Sequence, residues 1–281
     1  MLGRKTEIIM SITEKRNPKT THIDRMDTMS MLKIINEENM NSVKAIDGAI
    51  ESIEKAVEAV SAALAKGGRL IYAGAGTSGR IAVSDAAECP PTFGVDCNTV
   101  LALHAGGRDA VFKAAEGIED SAEAGRADLL ALDITSNDVV MGISASGNAS
   151  YVCSVLLTAK EKGCVTISLS NNKPCKIAEI ADIPIVVITG PEVITGSTRM
   201  KAGNSQKMVL NMITTCAMVK TGHVYENLMI NLKPTNIKLR KRMIGIVEAI
   251  CDVDEEKALA LLEANDFVIR KAVAAYEAEN K

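Results

Sequence analysis

The amino-terminal part of the chain shows the hydrophobic spacing of amphipathic helices. Apolar residues recur every three to four positions from Ile23 onward, which predicts a first helix with Asp24 as its N-cap. A second helix is predicted from about Ser42 to Lys66, because the apolar stripe continues and Gly67-Gly68 supplies a typical helix end. Residues 1 to about 22 are polar and show no regular period.

At residue 70 the pattern changes to short apolar runs separated by segments of helical length. The runs that predict buried strands are Leu70–Ala73, Thr99–Leu103, Val139–Ile143, Val165–Leu169 and Pro184–Ile188. The segments between them, such as 109–132 and 149–163, are long enough for helices. This alternation predicts right-handed βαβ crossovers and a parallel sheet covered on both faces. Ligands in such sheets bind beyond the carboxyl ends of the strands.

The remaining third of the chain reads as helical. A long helix is predicted from after Gly196 to about Lys220, and the last 45 or so residues resemble a compact three-helix bundle. The predicted architecture is an α/β fold in three parts: N-terminal helices packing on the core (1–66), a domain with the parallel sheet (67–225) and a small, UBA-like helical bundle (226–281).

Composition and charge exclude several classes of function. Aromatic residues make up 2% of the chain and the net charge is −3, which argues against nucleic-acid binding. Seven cysteines form no C-x-x-C pair and there are only three histidines, so a metal site is not expected. We interpret the cysteines as small buried side chains in a reducing compartment. No signal peptide or membrane span is evident, which predicts a cytoplasmic protein.

The loop after the first strand matches a glycine-rich phosphate motif. Residues 74–79 read G-x-G-x-x-G between a predicted strand and a predicted helix. The second strand ends at Leu103-His104 without the carboxylate that a nicotinamide site needs. Thr77 and Ser78, with free N–H groups at a helix start, favour a compact phosphate monoester instead. The alternative is a plain tight turn.

A second hydroxyl-rich loop follows the third strand, at Ser144-Ala145-Ser146-Gly147. Two such loops on one sheet can converge on one anion, although serine N-capping alone would also explain the second. Acidic candidates lie in residues 85–92 and 116–121, where a solvated surface is the simpler interpretation. Residues 195–203 combine hydroxyls, two cations and glycines, which suits an anion or a docking subunit. His104 could line the pocket.

These blocks together resemble the N-acetylmuramic acid 6-phosphate etherase family, within the sugar-isomerase (SIS) fold. The resembling segments are 13–18, 74–80, 85–94, 116–121 and 196–203, and E-C-P-P-T at 88–92 is the most specific. The resemblance implies a cofactor-free lyase without a metal, which cleaves the D-lactyl ether of a phosphorylated amino sugar in cell-wall recycling. It also implies a homodimer with the site near the subunit interface. Composition and the lack of an apolar span predict no nucleic-acid or membrane partner.

The family's functional residues carry over onto matching positions of this chain. Glu88 and Glu119 match its two catalytic carboxylates. The substrate- and phosphate-binding residues predicted from the loops and the resemblance are Thr77, Ser78, Gly79, Ser144, Ser146, Gly147 and Asn148. At residues 148–150 the chain reads Asn-Ala-Ser, where the family usually has Arg-Thr-Pro.

Two carboxylates suit the implied reaction. The open-chain sugar carries an aldehyde that acidifies the proton on carbon 2, so one carboxylate can act as base while a carboxylic acid protonates the departing ether oxygen. The family suggests Glu88 as acid and Glu119 as base, but the sequence alone fixes neither role and leaves Glu116 open. Two other functions remain: a non-catalytic sugar-phosphate sensor like glucokinase regulatory protein, and an aldose–ketose isomerase, against which the E-C-P-P-T block argues.

Overall fold

The fold is built on a parallel five-stranded sheet. The computed structural model describes residues 11–113, 117–234 and 236–280. The strands are β1 Leu70–Gly74, β2 Val100–His104, β3 Val139–Ser144, β4 Val165–Ser170 and β5 Ile183–Val186. They are ordered β2-β1-β3-β4-β5, and Ile71 pairs with both Leu101 and Val140. The predicted α/β class and the five predicted strand runs are confirmed.

Helices cover both faces of the sheet and form the two ends of the chain. They are α1 Thr28–Lys44, α2 Ile50–Ala65, α3 Gly76–Phe93, α4 Gly107–Phe112, α5 Ala122–Leu130, α6 Ser150–Glu161, α7 Lys176–Ile180, α8 Lys201–Lys220, α9 Ile237–Cys251, α10 Glu255–Ala264 and α11 Ile269–Glu279.

The central strands β1, β3 and β4 are almost fully buried because helices cover both faces of the sheet, whereas the outer strands β2 and β5 are partly exposed. Leu70 and Tyr72 of β1 pack on one side, in a core cluster shared with α2, α3 and α8. Ile71 and Ala73 point to the other side, in a cluster shared with α5, α6 and α7. Alternate residues of a strand therefore enter two separate cores, as a doubly covered sheet requires.

Three predicted helix boundaries were wrong. The first α-helix begins at Thr28 rather than Ile23, and Asp27 caps it by accepting a hydrogen bond from the Ser30 N–H at 3.1 Å. The predicted helix at 42–66 is divided by a 3-10 turn at Asp47–Ala49. The hydrophobic spacing runs through this break, but Gly48 lowers helix propensity there.

The predicted helical segment at 109–132 is likewise divided, into α4, a 3-10 turn at Ile118–Asp120 and α5. Gly117 has φ +74°, in the left-handed region that interrupts a right-handed helix. The segments at 149–163 and after Gly196 do form helices, α6 and α8, as predicted.

A short antiparallel hairpin leads into the C-terminal bundle. Strands β6 Val224–Tyr225 and β7 Leu228–Met229 were not predicted, and the proposed boundary at 225/226 falls in their turn. The three helices α9 to α11 follow as expected and share an apolar core of their own. The division of the chain into three domains stays a prediction.

All seven cysteines are free thiols. Four of them are buried as predicted, but Cys97 and Cys216 are exposed and Cys153 is half-buried. The expectation of general burial is therefore wrong for these three, because Cys97 lies in a loop and Cys216 on the outer face of α8. Among the described helices, none is both long and apolar enough to cross a membrane.

The strand order creates a crevice at one end of the sheet. From β1 the chain moves to β2 on one side, whereas β3, β4 and β5 continue on the other side. The connections after β1 and β3 therefore leave their strands toward opposite faces. Because β1 and β3 are neighbours, the two predicted hydroxyl loops meet at this switch point.

Candidate active site

The first loop presents a helix start without a side-chain cap. Helix α3 begins at Gly76, directly after β1, and its N-cap residue Ala75 offers no side-chain acceptor. The first N–H groups of α3 therefore have no partner within the helix and are available to an anion. The backbone φ angle of Gly76 is +53°, a conformation that is unfavourable for residues with a side chain. Ser78, in the same turn, is 7% exposed and lines the cavity described below.

Gly79 allows α3 to pack closely against β1. A Cβ atom at this position would lie 2.7 Å from the Gly74 carbonyl oxygen and 2.5 Å from the His104 ring. The His104 ring lies under the loop, with Nδ1 2.8 Å from the Ala105 carbonyl oxygen and Nε2 3.2 Å from that of Gly76. His104 therefore contacts the glycine loop at Gly76 and Gly79, but it is not among the residues that line the cavity.

The second loop, after β3, is ordered by its own hydroxyls. The Gly147 N–H donates to Ser144 Oγ at 3.1 Å, and the Ser144 and Ser146 hydroxyls lie 3.4 Å apart. The exposed Asn148 side chain donates to the Ser146 carbonyl oxygen at 3.1 Å and accepts from the Lys176 N–H at 3.2 Å. This side chain therefore ties the loop to the start of α7.

A cavity of about 270 Å³ lies between the two loops. Its lining residues are Thr13, Glu14, Ala75, Gly76, Thr77, Ser78, Glu119, Ile143, Ser144, Ala145, Ser146, Ala149, Gly196 and Thr198. Five predicted site residues thus converge: Thr77, Ser78, Glu119, Ser144 and Ser146. Gly79, Gly147 and Asn148 are close in sequence to the lining residues but are not among them, and their assignment to substrate stays a prediction.

Glu119 reaches the cavity from the connection between α4 and α5. It lies in the 3-10 turn that follows left-handed Gly117, and its side chain is exposed. Ile118 anchors this turn by packing against the second core cluster. Glu116, the other candidate base, lies outside the described residues.

Glu88 occupies a different part of the surface. It lines a second cavity of about 260 Å³ with Asp85 and Lys207, on the fourth turn of α3. Ten residues of helix separate it from Ser78, which corresponds to about 15 Å along the axis. One chain therefore does not bring Glu88 and Glu119 into a common cavity.

Residues 12–17 form an amino-terminal strap that covers the cavity. The sequence analysis did not predict this strap. The Thr13 carbonyl oxygen accepts from the Gly196 N–H at 3.3 Å, and the Ile12 N–H donates to Asn172 at 3.1 Å. These contacts bring the Glu14 carboxylate to the cavity wall, against Gly196. The only signal for it in the sequence was the resemblance of residues 13–18 to the etherase family.

Buried charges fix this strap to the rest of the molecule. The buried Glu38 carboxylate accepts a hydrogen bond from Asn17 at 2.7 Å and pairs with the ammonium group of Lys201, which is 1% exposed. Burial raises the pKa of Glu38, but the hydrogen bonds from Lys201 and Asn17 outweigh it and hold the pKa below its usual value.

A second buried carboxylate, Glu192, binds the start of α8. Its carboxylate accepts from the Lys201 N–H at 3.0 Å and the Ala202 N–H at 2.9 Å, so it occupies the free N–H groups of that helix. Burial raises the pKa of Glu192 above its usual value, although these N–H groups act in the opposite direction.

Comparison with known proteins identifies the family of this chain. A model of the glucokinase regulatory protein N-terminal SIS domain matches residues 52–160, and a general SIS domain model matches residues 116–216. The N-acetylmuramic acid 6-phosphate etherase of Bacillus pumilus is 46% identical over 261 residues, covering 93% of this chain and 86% of the relative. That of Serratia proteamaculans is 47% identical over 262 residues, covering 93% and 88%.

The chain belongs to the N-acetylmuramic acid 6-phosphate etherase family. The blocks that resemble this family fall around the sheet edge: residues 74–80, 116–121 and 196–203 each contribute to the cavity, whereas 85–94 continues along α3 to Glu88. Three of these four blocks thus meet at one cavity, and the fourth reaches a different part of the surface.

Solved structures confirm the fold of this etherase family member. A phosphoheptose isomerase from Francisella tularensis superposes with a TM-score of 0.52 at 15% identity, covering 68% of this chain and 98% of that one. A phosphoheptose isomerase from Neisseria gonorrhoeae gives 0.51 at 19% identity, covering 67% and 97%.

Proposed function

We propose that this protein cleaves the D-lactyl ether of N-acetylmuramic acid 6-phosphate, giving N-acetylglucosamine 6-phosphate and D-lactate. The observation that carries the proposal is the convergence of two hydroxyl loops and Glu119 in one cavity, in a chain 46–47% identical to named etherases. The free N–H groups of α3 and the hydroxyls of Ser78, Ser144 and Ser146 suit a phosphate group.

In the proposed mechanism, Glu119 acts as the base. With the phosphate held by the loops, its carboxylate removes the proton on carbon 2 of the open-chain sugar. The electron pair forms the carbon 2–carbon 3 double bond as the ether bond at carbon 3 breaks. Glu88 donates its proton to the departing lactate oxygen. Water then adds at carbon 3 and a proton returns to carbon 2, which restores the saturated sugar.

The position of Glu88 supports a site completed by a second copy of the chain. Six bonds separate phosphorus from the ether oxygen, a reach of at most about 9 Å at about 1.5 Å per bond. The chain's own Glu88 is too far along α3 for that reach. The cavity of about 270 Å³ is also smaller than the roughly 300–1,000 Å³ of complete ligand pockets. We therefore propose a homodimer in which the partner supplies Glu88.

An apolar stripe on α1 that the described residues leave exposed supports the homodimer. Met29, Leu32, Met40 and Val43 recur at helical spacing on this helix, and each is at least half exposed. Such a face on a helix beside the anchored strap is suited to contact with an identical chain. Because α1 and α8 pack together, this surface adjoins the start of the long helix.

The function is tested by incubating the protein with N-acetylmuramic acid 6-phosphate and measuring released D-lactate. Stoichiometric release of D-lactate and N-acetylglucosamine 6-phosphate is expected. Tight binding of the phosphosugar without lactate release would instead favour the sensor function, which the match to the glucokinase regulatory protein domain makes the alternative. A cytoplasmic location is part of the proposal, and the seven free thiols support it.

A further inference from the structure

A second groove adjoins the phosphate cavity. It has a volume of about 370 Å³ and runs between the first turns of α3 and α8. Its lining residues are Thr77, Arg80, Ile81, Ser84, Arg199, Gly203, Asn204 and Lys207. The proposed reaction mechanism assigns no role to this groove.

Only a thin wall separates the groove from the cavity. Thr77 lines both, and Thr198 lines the cavity while the next residue, Arg199, lines the groove. Consecutive Cα atoms are about 3.8 Å apart, so the two spaces lie within the length of one sugar. The Gly203 N–H donates to the Thr198 carbonyl oxygen at 3.0 Å, which joins Thr198 and Arg199 to the first turn of α8.

The groove and the cavity carry opposite charge. Glu14 and Glu119 line the cavity, and no lysine or arginine is among its described lining residues. Arg80, Arg199 and Lys207 line the groove, and no carboxylate is among its described lining residues. The cavity offers a phosphate the N–H groups of α3 and several hydroxyls, whereas the positive charge of the groove attracts a second anionic group.

Two of the three cationic side chains already bond to other groups of the protein. Arg80 donates to the carbonyl oxygens of Val111 at 2.7 Å and Ala110 at 2.9 Å. Lys207 pairs with the buried Asp85 at 3.2 Å. Arg199 is exposed and has no side-chain hydrogen bond or ion pair with the described residues. Its guanidinium can therefore form two parallel hydrogen bonds to a carboxylate.

We propose that Arg199 binds the lactyl carboxylate of the substrate, with Arg80 and Lys207 adding to the positive potential of the groove. This inference rests on the proposed function, because that substrate carries two anionic groups, a phosphate and a carboxylate. The cavity receives the phosphate and the groove receives the carboxylate. The sugar product lacks the carboxylate, so Arg199 distinguishes the ether substrate from the phosphosugar that remains after cleavage.

The test compares two ligands by calorimetry in the Glu119→Gln background, in which the substrate is not consumed. Arg199→Gln is expected to raise the dissociation constant of N-acetylmuramic acid 6-phosphate by about ten- to hundredfold. It is expected to leave that of N-acetylglucosamine 6-phosphate within about twofold, since this ligand makes no contact in the groove. Arg199→Lys should retain part of the affinity, because it keeps the charge and loses the planar fork.

Arg242→Gln is the matched control, since it removes an exposed arginine from α9 of the C-terminal bundle and should change neither constant. Equal weakening of both ligands, no weakening of either, or no binding of the ether sugar to the Glu119→Gln parent would overturn the proposal. The proposed function fails separately, if the wild-type protein releases no lactate. A protein that still discriminates the two sugars through Arg199 would then retain the carboxylate site without the reaction.

Discussion

At the scale of single residues, the two carboxylates differ in surroundings and therefore in expected role. Glu119 lines the cavity between the two hydroxyl loops, which is where the proposed mechanism needs a base, whereas Glu88 lies on the far part of α3. A base and an acid in an elimination are separable, because the carbon 2 proton can exchange with solvent before the ether bond breaks.

Glu119→Gln is expected to lower lactate release by at least about 100-fold and to abolish exchange of the carbon 2 proton in deuterated water. Glu88→Gln should lower lactate release comparably but leave the exchange in place, since the base is intact. Proton NMR of the incubated substrate measures both. Glu51→Gln, on the exposed first turn of α2, is the control. Retained exchange in the Glu119 variant would contradict its assignment as base.

The sequence predicted the residues that share a local motif but not those that meet across the chain. The hydroxyl loops were predicted because each lies at the end of an apolar run. Glu38 and Lys201 form an ion pair although they are 163 positions apart in the sequence. No sequence pattern around either residue indicates its partner. Glu14 reaches the cavity only because this distant pairing and the Gly196 hydrogen bond fix the strap. Such contacts depend on tertiary packing, which periodicity does not encode.

At the scale of elements, the approach of α3 to β1 depends on the absence of a side chain at Gly79. Gly79→Ala is expected to destabilise the protein by about 2–4 kcal/mol and weaken phosphosugar binding, because the new methyl group would overlap a backbone carbonyl oxygen and His104. Urea unfolding and calorimetry measure the two effects.

Gly48→Ala is the matched control for that substitution. A Cβ atom at Gly48 would meet nothing within 4 Å, and its φ is not in the left-handed region. This change should leave binding unaltered and shift the free energy of unfolding by less than about 1 kcal/mol. Equal effects of the two substitutions would show that close packing of α3 on β1 does not organise the loop.

The amino ends of β1 and β3 are joined by one buried carboxylate. Asp138 accepts hydrogen bonds from the Arg69 N–H at 2.9 Å, from the Arg69 guanidinium and from the Thr135 N–H at 2.9 Å. Burial raises the pKa of Asp138, but the hydrogen bonds from Arg69 and Thr135 outweigh this effect and hold the pKa below its usual value.

Asp138→Asn is therefore expected to lower the free energy of unfolding by about 3–5 kcal/mol near neutral pH. Because the folded pKa is lowered, the stabilisation is complete above the unfolded value of about 3.9 and is lost as pH falls through the folded pKa. The difference between wild type and variant should shrink below about pH 4. Urea titrations of wild type and variant, at neutral pH and below about pH 4, measure the difference in the free energy of unfolding. A difference that does not vary with pH would contradict a stabilising role of the ionised Asp138.

Elements with a sustained pattern were the ones that the sequence predicted well. The central strands β1 and β3 are buried on both faces, so each appears as a continuous apolar run. The break at Asp47–Ala49 was missed because hydrophobic spacing continues through a short turn, whereas Gly117 does interrupt the helical pattern as its sequence predicts. Strands β6 and β7 contain two residues each, which is too short to show a hydrophobic period.

At the scale of the whole molecule, the α1 stripe is expected to hold two chains together. Leu32→Glu places a charge in the middle of this stripe, where Leu32 is 58% exposed in the single chain. The variant should be a monomer in light scattering and should release lactate at least about tenfold more slowly, because the partner's Glu88 is lost.

Leu157→Glu is the matched control for the stripe. Leu157 is an equally exposed leucine, 51%, but it lies on α6 on the opposite face of the sheet. This variant should remain a dimer with wild-type activity. A Leu32→Glu protein that stayed dimeric would show that another surface joins the two chains.

The central claim is that one site takes Glu119 from one chain and Glu88 from its partner. Its most direct test is a heterodimer of one Glu88→Gln chain and one Glu119→Gln chain, co-expressed with two different affinity tags and purified through both. One of its two sites then carries both glutamates and the other carries neither, so lactate release at about half the wild-type rate is predicted. If each site used the two glutamates of a single chain, both sites would lack one of them. A purified heterodimer with no more activity than either variant alone would contradict the account.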